Sequence, residues 1–261
     1  MPFAAINGQR IYFEDSGGDG PPVILAHGFL MDHEMFAPQV AALAPEFRVI
    51  TWDERGFGAT EFDGKPFSYW DSASDCLALL DHLGIESAVV GGMSQGGFLS
   101  LRAALLGPGR VRALVLMDTC ADIDDAETRE GQRGMVDAWV TSGPGDELAA
   151  AVAQLIINEP AEDARWIAKW RARPKELLAE PAACLFGRDD LMGRLKEIRC
   201  PAFVVHGTAD AALVPARAES MAAGLDGCSG VVWVEGAAHA ANLTHPEAVN
   251  PPLLAFLRRL D

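Results

Sequence analysis

The stretch that decides the fold is Ala88-Val89-Val90-Gly91-Gly92-Met93-Ser94-Gln95-Gly96-Gly97-Phe98-Leu99-Ser100-Leu101. It is an apolar run that stops at glycines, presents one serine and resumes with helical spacing, which predicts a strand, a sharp turn and a helix. Glycines flank Ser94 in the pattern G-x-S-x-G, because a side chain at either position would collide with the neighbouring strand or helix. In this setting the pattern favours a catalytic serine over an ordinary Gly/Ser turn.

Length and composition predict one large α/β domain. The chain has 261 residues, enough for a core that needs no disulfides. Its five cysteines are scattered and form no C-x-x-C pair, which argues against a zinc site or a disulfide framework. Residues 1–8 do not have the pattern of a signal peptide, and no apolar run reaches the length of a membrane span. We therefore expect free thiols, no metal or other cofactor, no membrane partner and a cytoplasmic location.

The charge of the chain excludes one large class of partner. The formal net charge is -16, with 21 Lys and Arg against 37 Asp and Glu. Binding to phosphates needs a basic face that this composition does not supply, so we expect no nucleic-acid partner. The same acidity disfavours a polyanionic substrate and favours a neutral small molecule.

Short apolar runs recur along the chain and alternate with helical patterns. Five of these runs, besides the one before Ser94, are predicted as buried strands: 23–26, 48–52, 112–117, 201–206 and 230–234. Strand and helix in alternation, with short links, predict a mostly parallel, doubly wound sheet covered on both faces. Residues 120–190 break the alternation, because they contain recurring tryptophans and no strand-like run. We predict a helical cap insertion there, and a core formed by residues 1–119 and 191–261.

Three chemically suited side chains follow predicted strands. Ser94, Asp210 and His239 each come just after a buried strand, and the carboxyl ends of parallel strands meet in one crevice. Their order matches a serine nucleophile, an orienting acid and a general base. Two alternatives stay open, since Asp118 ends the strand before Asp210 and His245 lies close to His239. Asp210 and His239 are preferred, because Pro246 places His245 at the start of the last helix.

Two loops of the first half have plausible structural roles. His27, after the strand at 23–26, is expected to brace its loop by hydrogen bonding. The loop Asp53-Glu54-Arg55-Gly56-Phe57-Gly58 lacks the lysine of a phosphate loop and has no metal-ligand spacing. We expect Asp53 and Arg55 to pair with loop backbone and with each other.

Taken together, these motifs resemble the α/β-hydrolase family along essentially the whole chain. The resemblance is carried by five motifs: His27-Gly28, Asp53-x-Arg55-Gly56-x-Gly58, Gly92-x-Ser94-x-Gly96, Gly207-x-x-Asp210 and Gly236-x-x-His239. The start of the chain, its size and the approach to Asp210 resemble the branch of 3-oxoadipate enol-lactonases and small-ester hydrolases. The resemblance implies that the backbone N–H groups of Phe29 and Gln95 form the oxyanion hole.

The chemistry that follows is hydrolysis of a carboxylic ester or a lactone through an acyl-enzyme on Ser94. C–C bond hydrolysis, perhydrolysis and acyl transfer are alternatives on the same triad, and a non-catalytic small-molecule binding protein is an alternative of another class. Leu30, Met93 and Trp139 are expected near the substrate, which suggests a neutral and partly apolar acyl or alcohol group.

Overall fold

One eight-stranded sheet organises residues 2–260, the part of the chain that this computed structural model describes. In chain order the strands are β1 (Phe3–Ile6), β2 (Gln9–Asp15), β3 (Pro22–Ala26), β4 (Arg48–Trp52), β5 (Ala88–Met93), β6 (Val111–Met117), β7 (Ala202–Gly207) and β8 (Cys228–Val234). Their order across the sheet is β1-β2-β4-β3-β5-β6-β7-β8. The pairs β1–β2 and β2–β4 are antiparallel, and all other pairs are parallel.

Helices connect the strands from β3 onward, and two more follow β8. They are α1 (Ala37–Leu43), α2 (Tyr69–His82), α3 (Gln95–Leu106), α4 (Ala126–Ser142), α5 (Asp146–Ile156), α6 (Pro160–Ala172), α7 (Ala179–Phe186), α8 (Pro215–Gly224), α9 (Ala241–Thr244) and α10 (Pro246–Leu257). Three 3-10 helices cover His33–Phe36, Lys175–Leu178 and Met192–Glu197. Within residues 2–260, no helix combines the length and the apolar character that crossing a membrane requires.

The central strands are buried on both faces, as their continuous apolar sequences predict. Along β5, Val90 packs into one hydrophobic cluster and Val89 into the other, and Leu114 and Val115 of β6 divide in the same way. Each cluster is closed by helices on its side of the sheet. The predicted mostly parallel, doubly wound sheet is therefore confirmed.

At the start of the chain, the run Ile11-Tyr12-Phe13-Glu14-Asp15 predicts one short strand, and the structure differs from this prediction. The structure has a hairpin, in which β1 pairs with a longer β2 in the register Ile6↔Gln9. Asn7 and Gly8 form its turn with φ angles of 47° and 79°. Asn-Gly is the preferred sequence for such a two-residue turn, because both positions need a positive φ.

The segment between β6 and β7 is helical. It contains α4 to α7, and its tryptophans Trp139, Trp166 and Trp170 are each at most 3% exposed. Trp170 Nε1 donates a 2.7 Å hydrogen bond to the carbonyl oxygen of Leu30, just after β3. Lys169 adds an ion pair of 2.6 Å to Asp32 in the same loop. These contacts fix α6 over the loop that follows β3.

Candidate active site

Ser94 occupies the turn between β5 and α3. Its backbone has φ 53° and ψ -113°, a left-handed conformation that a non-glycine residue seldom adopts. A Cβ atom on Gly96 would lie 1.9 Å from the carbonyl oxygen of Ala26, and one on Gly92 would lie 2.3 Å from the same atom. The flanking glycines are therefore required by the close approach of β3 to the turn.

Hydrogen bonds hold the backbone of Ser94 in this conformation. Its N–H donates to the carbonyl oxygen of Met117 at 2.9 Å. Its own carbonyl oxygen accepts from Thr119 Oγ1 at 2.7 Å and from the N–H groups of Gly97 and Phe98 at 2.9 and 3.1 Å. Because all of these bonds use backbone atoms of the serine, its hydroxyl is left for chemistry.

Asp210 and His239 are brought together by the loops after β7 and β8. His239 Nδ1 lies 2.7 Å from Asp210 Oδ2, and both side chains are buried. Asp210 Oδ1 accepts from the N–H groups of Ala212 and Leu213, each at 2.9 Å. Burial alone would raise the pKa of Asp210, but the two neighbouring imidazoles and these hydrogen bonds outweigh it and hold the pKa well below the usual range.

The second imidazole at Asp210 belongs to His206, which sequence reasoning missed. His206 Nε2 lies 3.1 Å from Asp210 Oδ2 and 2.8 Å from the carbonyl oxygen of Leu213. Burial lowers the pKa of His206, but the hydrogen bond to Asp210 and the charges of Asp118 and Asp210 together outweigh burial, so that the pKa is raised overall. The available sequence signal was its position in β7, four residues before Asp210.

The alternative acid and base have other partners. Asp118 accepts hydrogen bonds from the N–H groups of Gly207 at 2.8 Å and Ala241 at 3.2 Å, so it links three loops of the site. Burial raises the pKa of Asp118 to about 7. His245 caps α10, and its Nδ1 lies 2.9 Å from Thr244 Oγ1.

Ser94 and His239 line one cavity of about 130 Å³. Most of its wall is apolar, and most of the apolar residues come from the helices between β6 and β7, including Val136, Val152 and Ile156. Among the residues predicted near the substrate, Leu30 lines this cavity. Trp139 instead lines a neighbouring cavity of about 30 Å³, and Met93 is 1% exposed and packs against Gly28.

Phe29 and Gln95 border the same site. Phe29 follows β3 and lines the cavity, with its ring packed edge-on against Phe57 at 5.7 Å between centroids. Gln95 is the first residue of α3, where backbone N–H groups have no carbonyl of the preceding turn to bind. Its side-chain Oε1 accepts a 3.2 Å hydrogen bond from the hydroxyl of Tyr69.

His27 braces its loop, as predicted. It is fully buried, and its Nε2 accepts a 3.0 Å hydrogen bond from the N–H of Glu54. Its Nδ1 lies 2.8 Å from the carbonyl oxygen of Gly28. The loops after β3 and β4 are thereby linked beneath the site.

The predicted pairing of Asp53 with Arg55 is wrong. Asp53 binds His33 Nδ1 and the N–H of Ala59, both at 2.8 Å. Arg55 pairs with Asp75 of α2 at 2.5 Å. The bond from Ala59 confirms that Asp53 pairs with loop backbone, whereas His33 and Asp75 belong to helices outside the loop.

Among residues 2–260, two groups of acids and histidines have the composition of a metal site. Asp32, His33 and Asp53 form one, Asp118, His206 and Asp210 the other, and in each the candidate ligand atoms lie within 4.8 Å of one another. Backbone N–H groups already donate to the oxygens of Asp53, Asp118 and Asp210. These carboxylates are satisfied by the protein, so we assign neither group a metal.

Glu54 is a buried acid that the sequence did not reveal. It is 0% exposed, and the hydroxyl of Ser72 is close to the carboxylate without forming a hydrogen bond of standard geometry among the described residues. Burial, with a contribution from the Asp75 carboxylate, raises the pKa of Glu54 to about 8. In the unfolded chain, where the carboxyl is exposed to water, the pKa of Glu54 is about 4.3.

We expect the variant Glu54→Gln to become more stable relative to the natural protein as pH rises from 5 to 9. Between the two pKa values the folded state binds more protons at Glu54 than the unfolded state, so the natural protein loses stability as pH increases. The change in the free energy of unfolding is on the order of a few kcal/mol. Urea unfolding of both proteins at several pH values measures it, and a difference that does not change with pH would contradict the assignment.

Comparison with known proteins agrees with this architecture. Residues 21–143 match the family model described as alpha/beta hydrolase fold. A putative carbamate hydrolase RutD from Rhizobium rhizogenes is 31% identical, over 95% of this chain and 98% of that protein. A thermophilic esterase from Thermogutta terrifontis superimposes with a TM-score of 0.89 at 30% identity, covering 99% of this chain and 97% of the esterase. The enol-lactonase from Burkholderia xenovorans LB400 also gives a TM-score of 0.89 at 30% identity, covering 98% of this chain and 100% of the enol-lactonase.

Proposed function

Since this chain belongs to the α/β-hydrolase family and is a hydrolase, we propose that it cleaves a carboxylic ester or a lactone through an acyl-enzyme on Ser94. One observation carries the proposal. Ser94 and His239 line the same cavity, and the His239 imidazole is bonded through Nδ1 to the Asp210 carboxylate at 2.7 Å. That bond leaves Nε2 of the imidazole to take the serine proton.

In the first half of the reaction, His239 removes the proton of Ser94 as Oγ attacks the ester carbonyl carbon. The negative charge moves to the carbonyl oxygen. We propose that the backbone N–H groups of Phe29 and Gln95 donate hydrogen bonds to this oxygen. The tetrahedral intermediate then collapses, and His239 gives its proton to the departing alcohol oxygen. Asp210, an anion at neutral pH, stabilises the imidazolium that exists between these two proton transfers.

In the second half, water replaces the alcohol. His239 takes a proton from the water as its oxygen attacks the acyl carbon, and the second intermediate expels the serine oxygen. The proton returns from His239 to Ser94, and the acid leaves. We propose that residues 120–190 act as the cap that selects the substrate, since helices of this segment form most of the apolar cavity wall.

A fluorophosphonate probe tests the proposal on the natural protein. Such a probe reacts with an activated serine, so we expect covalent labelling of one residue, identified as Ser94 by peptide mass spectrometry. The labelled protein should lose p-nitrophenyl ester hydrolysis in proportion to the labelling. A protein that turns over no ester and takes up no probe would instead be a binding protein of this fold.

A further inference from the structure

The cavity that contains Ser94 and His239 is not apolar throughout. Three polar side chains, Asp124, Gln132 and Arg188, contribute to its wall, and we call them the polar corner. Asp124 lies just before α4, Gln132 lies within α4, and Arg188 follows α7. All three belong to the helical segment between β6 and β7, which has no part in the bond-breaking steps proposed above.

One nitrogen of the Arg188 guanidinium, Nε, has no hydrogen-bond partner among the described residues. The side chain is 3% exposed, and the guanidinium lies 4.8 Å from the centre of the Phe98 ring. Its terminal nitrogens donate to Asp124 Oδ2 at 2.7 Å and to the carbonyl oxygen of Leu185 at 2.9 Å. The Nε atom is itself buried. A buried donor without a partner costs free energy, because it has lost its hydrogen bonds to water. Arg188 Nε therefore favours a ligand that accepts a hydrogen bond.

Gln132 supplies the complementary atom. Its Oε1 is buried and also lacks a partner in the described part of the chain. A side-chain amide oxygen accepts hydrogen bonds, so this atom favours a ligand that donates one. The wall of the cavity therefore includes a buried donor nitrogen, Arg188 Nε, and a buried acceptor oxygen, Gln132 Oε1, that lack partners among the described residues.

The charge of the polar corner is already balanced. Asp124 pairs with Arg188 and also with Arg217, and Arg217 pairs in turn with Asp122 at 2.8 Å. Two carboxylates therefore face two guanidinium groups. An anionic ligand would meet the Asp124 carboxylate in the same wall, so the polar corner disfavours a substrate carboxylate.

We propose that the polar corner binds a neutral group of the ester substrate that both accepts and donates hydrogen bonds, namely an amide or a hydroxyl. Its oxygen accepts from Arg188 Nε, and its N–H or O–H donates to Gln132 Oε1. The rest of the substrate lies along Met135, Val152 and Ile156. The inference rests on the proposed ester hydrolysis and names the substrate class: esters whose apolar chain carries an amide or hydroxyl.

Two series of substrates test this proposal. In the acyl series, p-nitrophenyl esters of N-acetylglycine, N-acetyl-β-alanine and N-acetyl-4-aminobutanoate are compared with pentanoate, hexanoate and heptanoate of equal chain length. The ester of 5-oxohexanoate offers an acceptor without a donor, and the monoester of glutarate offers a charge. In the alcohol series, 2-acetamidoethyl and 3-acetamidopropyl acetates are compared with pentyl and hexyl acetates. Each kcat/KM is divided by the rate of the same ester in hydroxide.

We expect the best-placed acetamido ester to exceed its all-carbon partner by at least about tenfold in corrected kcat/KM. The oxo ester should lie between them, and the glutarate monoester should be the poorest. The series that shows the advantage identifies whether the acyl or the alcohol side reaches the polar corner.

Two variants assign the contacts. Arg188→Lys keeps a cation beside Asp124 but has no N–H at the Nε position. The ratio of corrected kcat/KM for the acetamido ester to that for its all-carbon partner should therefore fall to about one, and so should the ratio for the oxo ester. In Gln132→Met, the acetamido ester and the oxo ester should have equal corrected kcat/KM, and both should still exceed the all-carbon ester. The matched controls are Arg133→Lys and Gln154→Met. Arg133 is an exposed residue of α4 whose guanidinium lies over the Phe186 ring, and Gln154 is an exposed residue of α5. Neither lies in the cavity wall, and both should keep the natural ratios.

The outcomes separate this inference from the proposed function. If hexanoate and hexyl acetate are hydrolysed but acetamido esters show no advantage in either series, the polar corner does not bind such a group. A preference for the glutarate monoester would overturn the neutral class in favour of an anionic one. If no ester in either series is hydrolysed and Ser94 takes up no fluorophosphonate, the ester hydrolysis itself is wrong, and this inference fails with it.

Discussion

The variant Ser94→Ala is expected to hydrolyse p-nitrophenyl esters about 10⁶-fold more slowly than the natural protein in kcat. Without the hydroxyl no acyl-enzyme forms, and what remains is the direct attack of water on an ester bound beside the oxyanion hole. Initial rates with p-nitrophenyl hexanoate measure the loss, and fluorophosphonate labelling should vanish with it.

The fold should survive this change. The hydrogen bonds that hold residue 94 in its left-handed conformation use its backbone N–H and carbonyl oxygen, and alanine retains both. Thermal unfolding should therefore stay within a few degrees of the natural protein. Ser220→Ala is the matched control, because this exposed serine bonds to the carbonyl oxygen of Ala216 in α8. It should keep full activity, and turnover by Ser94→Ala at the natural rate would refute the assignment of the nucleophile.

The parts of the fold that the sequence predicted are those with a local cause. The runs before Ser94, Asp118 and Asp210 are continuously apolar because parallel strands are covered on both faces, and such runs can be recognised one at a time. The turn at Ser94 was equally local, since its two glycines are required by contacts with the strand beside it. Asn7-Gly8 is also a local signal, because this pair is typical of the turn in a hairpin such as β1–β2.

The parts that could not be predicted depend on neighbours that only the folded chain supplies. His206 lies beside Asp210 because the loop after β7 folds back. As a result, Asp210 Oδ2 contacts the imidazoles of both His206 and His239. Glu54 follows Asp53 in a charged, glycine-rich loop that looks solvent-exposed in sequence, but its carboxylate is buried and forms no hydrogen bond of standard geometry among the described residues. Arg188 lies in a helical segment whose packing no strand pattern constrains. Its contact with the cavity depends on how four helices meet.

The residues predicted near the substrate line the cavity of Ser94 only in part, for the same reason. Trp139 and Leu30 were both chosen as apolar residues near the site, yet Leu30 reaches the cavity of Ser94 and Trp139 does not line it. The Trp139 ring packs edge-on against Trp170 at 5.7 Å between centroids, so it contributes to the core of the helical segment. An aromatic residue at helical spacing indicates a buried face, and the sequence does not say whether that face meets a ligand or another helix.

A second large effect is expected at Asp210. Asp210→Asn should lower kcat by about 10⁴-fold, because an amide at this position can donate to Nδ1 of His239 and thereby favour the tautomer that carries its proton on Nε2. That tautomer cannot accept the proton of Ser94. The loss should appear in kcat more than in KM, since Asp210 does not line the cavity. Steady-state kinetics with p-nitrophenyl hexanoate separate the two constants.

Asp118→Asn is the matched comparison, since it makes the same chemical change at a buried aspartate just after the neighbouring strand. Asp118 accepts from Gly207 and Ala241 through backbone N–H groups, and its bonds do not determine the tautomer of His239. We therefore expect a loss of less than about 10²-fold in kcat, together with a lower midpoint of thermal unfolding, because an amide offers one acceptor oxygen where the carboxylate offers two. If Asp118→Asn lost activity by about 10⁴-fold while Asp210→Asn remained active, the acid of the triad would be Asp118, and the order of proton transfers proposed for His239 would have to be rebuilt around it.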